Sequence, residues 1–333
     1  MMTSTRIHVH GIGVVSPAGW GVGSFREILD GHRVAPPSEL PHPDGLARTV
    51  LRVPALVPRP PWMAHPRMRR TSPISQFALA ATFEALGQMG MPQPCPGLGI
   101  LTSVMGGGVI YSRRFYGEVL ADPSTASPLL FPETVFNAPG SHLAAVLQTR
   151  ARNDTEVGDE TGFLTSLALA ARWLADDVVP ACLVVSCEEL DWPNAGAIGL
   201  FPGKTLPSEG AAALLLRREP SAVELVGVSS PHRCSHRRAR QVDLETIRQD
   251  LRWTSAPTTQ VVRAGGSDSM NRLEPRFGEG LAATGGWACV AAVDAILRGQ
   301  CQESVAVVDG SNGQTLACRF QSNRFPTEIP AVA

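Results

Sequence analysis

Glu160 is the residue of this chain best placed to do chemistry. It belongs to a short polar stretch, residues 155–162, that runs into an apolar, alanine-rich segment whose spacing predicts a helix over 163–174. The first turn of a helix carries unsatisfied backbone N–H groups and the positive end of the helix dipole. A side chain there can hold an anion or be activated as a nucleophile. For a carboxylate, two readings stand side by side: it satisfies backbone donors, or it does acid–base work.

Other reactive residues point to less. His232, Cys234 and His236 alternate along an extended stretch and share one side, but a fourth ligand is not evident, so zinc is not expected. The same stretch is basic, with Arg237 and Arg238 at its centre, and suits an acidic partner; its plainer reading is a solvated loop. Cys187 follows an apolar strand-like run and Cys289 falls inside a helical one, so both are expected to be buried, unreactive thiols. In the loop over 309–314, Gly310 and Gly313 are expected to serve tight backbone geometry and not phosphate binding.

The elements that must position these groups are legible as an α/β pattern. Strands are predicted over 7–15, 98–102, 181–186, 211–216, 223–228, 260–262, 304–308 and 316–320, and helices over 24–29, 74–89, 163–174, 244–251 and 281–297. Residues 34–66 read as a proline-rich extended excursion and 106–139 as a loop-rich cap. With 333 residues, 44% hydrophobic and 18% charged, the chain can bury a substantial core. A net charge of −1 gives no polycationic case for nucleic acid, and no apolar run reaches membrane-spanning length. Residues 1–10 lack the apolar region of a signal peptide, and seven cysteines without a C-x-x-C motif suit reduced thiols in a cytoplasm.

Several fragments, in order along nearly the whole chain, resemble the β-ketoacyl synthases, condensing enzymes of the thiolase fold. Val9, Gly11, Gly13, Ser16 and Pro17 match the opening strand V-x-G-x-G-x-x-S-P. Arg70, Ser72, Phe77 and Ala78 match R-x-S-x-x-x-x-F-A, while Asn137, Pro139 and His142 match N-x-P-x-x-H. Glu209, Gly210 and Ala211 resemble the G-E-G-A segment, and residues 280–286 the G-x-x-G-A-A-G-G helix start. Residues 155–162 lie where the family has its nucleophile elbow, roughly T-A-C-A-S-G, and residues 309–314 resemble the G-F-G-G-x-N turn that lines the site. The resemblance implies an α/β, thiolase-like fold of two similar βαβαβ halves in a layered α-β-α-β-α body, divided here as 1–217 and a shortened 218–333. It also implies a packing role for His142.

The alignment replaces all three catalytic residue types. Glu160 stands at the acyl-carrying cysteine, Gly265 at the histidine of the H-G-T motif, and Glu279 at the histidine of K-x-x-x-G-H, with Glu274 at its lysine. Condensation needs a thiolate and two imidazoles; a carboxylate forms no thioester, glycine offers no donor, and an anion repels a developing enolate. Loss of such a set is strongly non-additive, so condensation by this chain alone is not expected.

What the resemblance implies instead is a partner subunit. Chain-length factors lack the triad, carry glutamine at the elbow, and shape the pocket in which an active ketosynthase grows its chain. The expected partners are such a ketosynthase, or a second copy of this chain, together with an acyl carrier protein, in fatty-acid, polyketide or polyene-type biosynthesis. Pairing is expected through the strand over 181–186. No cofactor or metal is expected. Two alternatives stay open: a thioester-processing enzyme in which Glu160 and Glu279 face one cavity and share a proton, and a non-catalytic homodimeric scaffold for acyl groups or carrier protein. For Glu279 the plainer reading is exposure to solvent or pairing with Arg263 or Arg276.

Overall fold

A computed structural model of the chain describes residues 5–88, 93–200, 205–233, 239–253, 259–264 and 273–323. The elements in chain order are β1 (Ile7–Ser16), β2 (Gly19–Trp20), α1 (Val22–Leu29), β3 (Pro37–Pro41), β4 (Ala47–Leu51), α2 (Pro73–Ala85), β5 (Leu98–Val104), α3 (Val109–Ala121), α4 (Ala138–Val146), β6 (Asn153–Val157), α5 (Gly162–Ala175), β7 (Ala181–Glu188), α6 (Trp192–Ile198) and β8 (Gly210–Arg217). They continue with β9 (Val223–Val228), β10 (His232–Arg233), α7 (Ala239–Asp250), β11 (Thr259–Ala264), α8 (Glu274–Phe277), α9 (Ala282–Leu297), β12 (Glu303–Asp309) and β13 (Gln314–Ser322).

The large sheet runs β11-β12-β13-β9-β1-β8-β7-β5-β6. The pairs β5–β6, β5–β7 and β11–β12 are parallel; β7–β8, β8–β1, β12–β13 and β13–β9 are antiparallel. One connectivity therefore occurs twice. The path β1, α2, β5, α5, β7, β8 has the same pairing as β9, α7, β11, α9, β12, β13. The two runs meet where Ile7, His8 and Val9 pair with Leu225, Glu224 and Val223.

Strand alternation sorts the side chains into layers. Leu183 and Val185 of β7 pack outward with Ile100 and Leu215 against Phe77, Leu79 and Phe83 of α2 and Leu143 of α4. Cys182 and Val184 face inward, where Phe163, Leu164, Leu167 and Leu174 of α5 meet Trp287, Val290 and Val293 of α9. The far side of that inner layer is Ala306, Val308 and Phe320 of the second run. Outside it, Ile247 and Leu251 cover Val305, Val307 and Ala317. The body is thus layered helix, sheet, helix, sheet, helix, as expected. Each large apolar side chain buried in it is worth about 1.5–3 kcal/mol. In α9 every residue from Ala282 to Ile296 is buried, which is why its sequence shows no polar face.

The structure corrects several expectations. The strand over 181–186 cannot be the one that pairs with another chain, because β7 is hydrogen-bonded on both sides, to β5 and to β8. On that side the sheet ends at β6, whose polar residues the sequence reading did not assign to a strand. The excursion over 34–66 contains the β3–β4 hairpin. The cap over 106–139 contains α3, a helix of 13 residues with none buried. Without a side packed into the core it shows no helical stripe, and periodicity passes over it.

Candidate active site at the elbow

The parallel strands β5 and β6 end together, with Val104 opposite Val157, and Gly158 donates its N–H to the Val104 carbonyl at 3.1 Å. A turn closed by Gly162 N–H on Asp159 O at 2.9 Å then starts α5, whose N-cap is Thr161. Glu160 therefore lies one residue ahead of the N-cap, and it is buried. Its Oε2 accepts the Ser311 N–H at 2.7 Å. Beside it, Asp159 accepts Thr161 N–H at 3.0 Å and Thr161 Oγ1–H at 2.6 Å through Oδ1, and Asn312 N–H at 3.1 Å through Oδ2. Two successive carboxylates thus hold the β12–β13 loop down on the elbow. Burial raises the Glu160 pKa, against its hydrogen bonds from backbone, and the neighbouring Asp159 charge raises it further.

Gly310 and Gly313 meet the elbow as turn residues. A Cβ on Gly310 would collide with the Asp159 carboxylate, and Gly313 holds a φ of 78° that favours glycine. Gly310 donates to the Gln314 carbonyl at 2.7 Å and Gly313 to that of Gly310 at 3.1 Å, closing the loop tightly. From the other side, a Cβ on Gly285 would strike the Glu160 carbonyl oxygen and one on Gly286 the Ser186 hydroxyl. Those two glycines let the first turn of α9 press against both elbow and sheet.

Glu279 serves that same helix. Its Oε1 accepts the Leu281 N–H at 2.9 Å and the Thr284 Oγ1–H at 3.0 Å, and its backbone bridges to Pro207. A carboxylate ahead of a helix suits the dipole. The carboxylates of Glu160 and Glu279 are thus engaged by different donors. Arg263 reaches Asp309 at 3.4 Å, and Arg276 donates to the Leu29 carbonyl.

Sequence reading missed two carboxylates that the structure ties to the same region. Glu188, fully buried at the end of β7, accepts the N–H groups of Met105 and Gly106 and also bonds the backbone of Ala282 at the start of α9. Burial pushes its pKa up to about 8. Glu189 accepts the Ser72 hydroxyl, Ile74 N–H at 3.1 Å and Ile110 N–H at 2.8 Å, joining the starts of α2 and α3; burial raises it to about 7. The signal was two glutamates directly after an apolar strand. Buried carboxylates demand partners, and here backbone donors of the loop after β5 and of helix starts supply them.

His142 Nε2 sits 2.6 Å from Oε1 of Glu133, whose other oxygen accepts Ser72 N–H at 3.1 Å. Cys187 and Cys289 are fully buried and burial raises both thiols; Cys289 lies 3.5 Å from Cys318. His232 lies 3.7 Å from Asp250. Gly265, Cys234, His236, Arg237 and Arg238 lie outside the described residues. Among the described residues, no helix is long and apolar enough to cross a membrane.

No protein-family model and no curated protein matches the sequence. Solved structures do match. The ishigamide ketosynthase/chain length factor superposes with a TM-score of 0.78 at 15% identity, over 95% of this chain and 99% of that one. A β-ketoacyl synthase from Burkholderia phymatum gives 0.78 at 15% identity, over 96% of this chain and 100% of the other. A type II polyketide synthase acyl-carrier protein in complex with its ketosynthase bound to the hexaketide gives 0.76 at 15% identity, over 97% and 100%.

Proposed function

For a chain with the ketosynthase fold, of thiolase type, we propose a chain-length-factor-like role: a non-condensing subunit that pairs with an active ketosynthase in fatty-acid, polyketide or polyene-type biosynthesis. The observation that carries this reading is Glu160, buried at the elbow with its carboxylate bonded to the Ser311 N–H. It stands where the resemblance puts the acyl-carrying cysteine. An acyl enzyme needs a nucleophile that attacks and leaves, and a buried glutamate tied to loop donors is not built for thioester exchange. Glu279, in the place of an imidazole, helps hold the start of α9.

Two surfaces suit a partner chain, and both follow from the end of β5. The outer side of β6 is an open sheet edge. The helix α3 carries Tyr116 at 63% and Leu120 at 71% exposure, with Leu129 and Phe131 also exposed beyond it. Apolar surface of this kind marks interaction sites. The partner ketosynthase docks here. An acyl carrier protein is the second partner, meeting the basic run that contains Arg237 and Arg238. We divide the chain at 217/218, and a cytoplasmic setting fits the free thiols of the described cysteines.

Co-expression with the ketosynthase encoded nearest to this chain tests the reading. Co-purification, with product length that depends on this chain, is the expected result. A ketosynthase that never co-purifies and is fully active alone overturns it.

A further inference from the structure

Away from the elbow, a cleft of about 810 Å³ lies between the end of β2, the segment following β4, and the first turns of α2. None of its lining residues belongs to the elbow or to the 309–314 loop. The volume falls in the range of cavities that hold small molecules.

Its wall is apolar: Trp20, Leu56, Met63 and Phe77 line it, with Met68 buried behind them. The Trp20 indole is fixed, because Nε1 donates to the Pro54 carbonyl at 2.7 Å and the ring meets Phe77 edge-on with centroids 5.6 Å apart. The charged lining residues are Arg52, Arg59, Arg69 and Glu209. Arg52 and Glu209 offset each other at 3.4 Å, and Glu209 is further satisfied by the N–H groups of Leu190 and Val53. Arg59 and Arg69 make no ion pair or side-chain hydrogen bond among the described residues. The cleft therefore offers two guanidinium groups beside an apolar wall, with no carboxylate left to answer them.

We propose that this cleft binds a small amphipathic anion: an apolar chain that packs on Trp20, Met63 and Phe77 and carries a terminal oxyanion held by Arg59 and Arg69. The guanidinium fork matches carboxylate and phosphate oxygens equally, so both heads are recognised by the same chemistry. This inference is independent of the partner role and stands or falls without it.

Calorimetric titration of the full chain with decanoate, decyl phosphate and decanol, below their aggregation limits, tests the site. Decanoate, decyl phosphate or both bind saturably, at least tenfold more tightly than decanol, and whichever is tighter identifies the preferred head group. The Arg59→Ala/Arg69→Ala double variant loses at least tenfold for the oxyanions and leaves decanol unchanged. Trp fluorescence changes on binding, and Trp20→Phe abolishes that change. Equal affinity for decanol, undiminished oxyanion binding in the double variant, or no saturable binding by any probe overturns the proposal. Because both arginines are exposed, a charge-reversed Arg59→Glu/Arg69→Glu variant also folds, and it loses oxyanion binding at least as far.

Discussion

The Glu160 carboxylate accepts the backbone N–H of Ser311 at 2.7 Å, so the elbow ahead of α5 and the loop between β12 and β13 are joined through a side chain. The joint is intramolecular, its two carboxylates are buried while Ser311 and Asn312 are exposed, and it is reinforced by the Asp159 contact to Asn312 at 3.1 Å.

If that bond is structural, removing the acceptor costs stability and preserving its shape does not. Glu160→Ala removes the acceptor of the Ser311 N–H and leaves a void where a buried side chain stood, a loss of about 1–3 kcal/mol. Glu160→Gln keeps an acceptor oxygen, sheds a charge that burial disfavours, and stays within about 1 kcal/mol of the parent. Urea unfolding of the two variants measures the difference; an equal loss in both contradicts the assignment.

The raised carboxylates give the fold a pH signature. Glu188 and Glu189 rise from an ordinary 4.5 to about 8 and about 7, so between these limits the folded chain binds more protons than the unfolded one. Their contribution is fully present below the unfolded pKa and is lost as pH rises through the folded values. The urea midpoint is therefore expected to fall from pH 5 to pH 8, and Glu188→Gln to flatten that slope. A midpoint that climbs across the same window refutes the burial argument.

Glycine substitutions separate close approach from mere flexibility. A methyl on Gly285 meets the Glu160 carbonyl, whereas nothing lies within 4 Å of one on Gly23 in α1. Gly285→Ala is expected to cost about 1–3 kcal/mol through overpacking, and Gly23→Ala to add about 0.5–1 kcal/mol by restricting the unfolded chain. Thermal unfolding of the pair reads both signs.

The proposed partner surface can be altered without touching the core. Leu120→Glu with Tyr116→Glu changes two exposed side chains, so stability moves by no more than about 0.5 kcal/mol per site. Association with the ketosynthase is expected to weaken at least tenfold, read by size-exclusion chromatography of the mixed chains. Unchanged co-elution places the interface elsewhere.

Much of the fold was legible because β5, β7 and β12 are buried on both faces, β8 nearly so, and α9 all round. The runs at 181–186 and 281–297 could be little else. What escaped was half-exposed. β6 has no apolar residue before Val157, and α3 turns none of its apolar side chains into the core. At the site, Glu160 stood out by its place before a helix. Glu188 and Glu189 did not, since their partners are backbone donors brought close only by tertiary structure. The resemblance put subunit pairing on the strand over 181–186, and its apolar run could not correct that, because such a run reads the same inside a sheet as at its edge.

Intact-mass spectrometry of the purified chain, alone and with its ketosynthase, after incubation with an acyl-loaded carrier protein tests the central claim most directly. The predicted result is an acyl adduct on the ketosynthase and an unchanged mass for this chain in both samples. An acyl adduct on this chain contradicts the account.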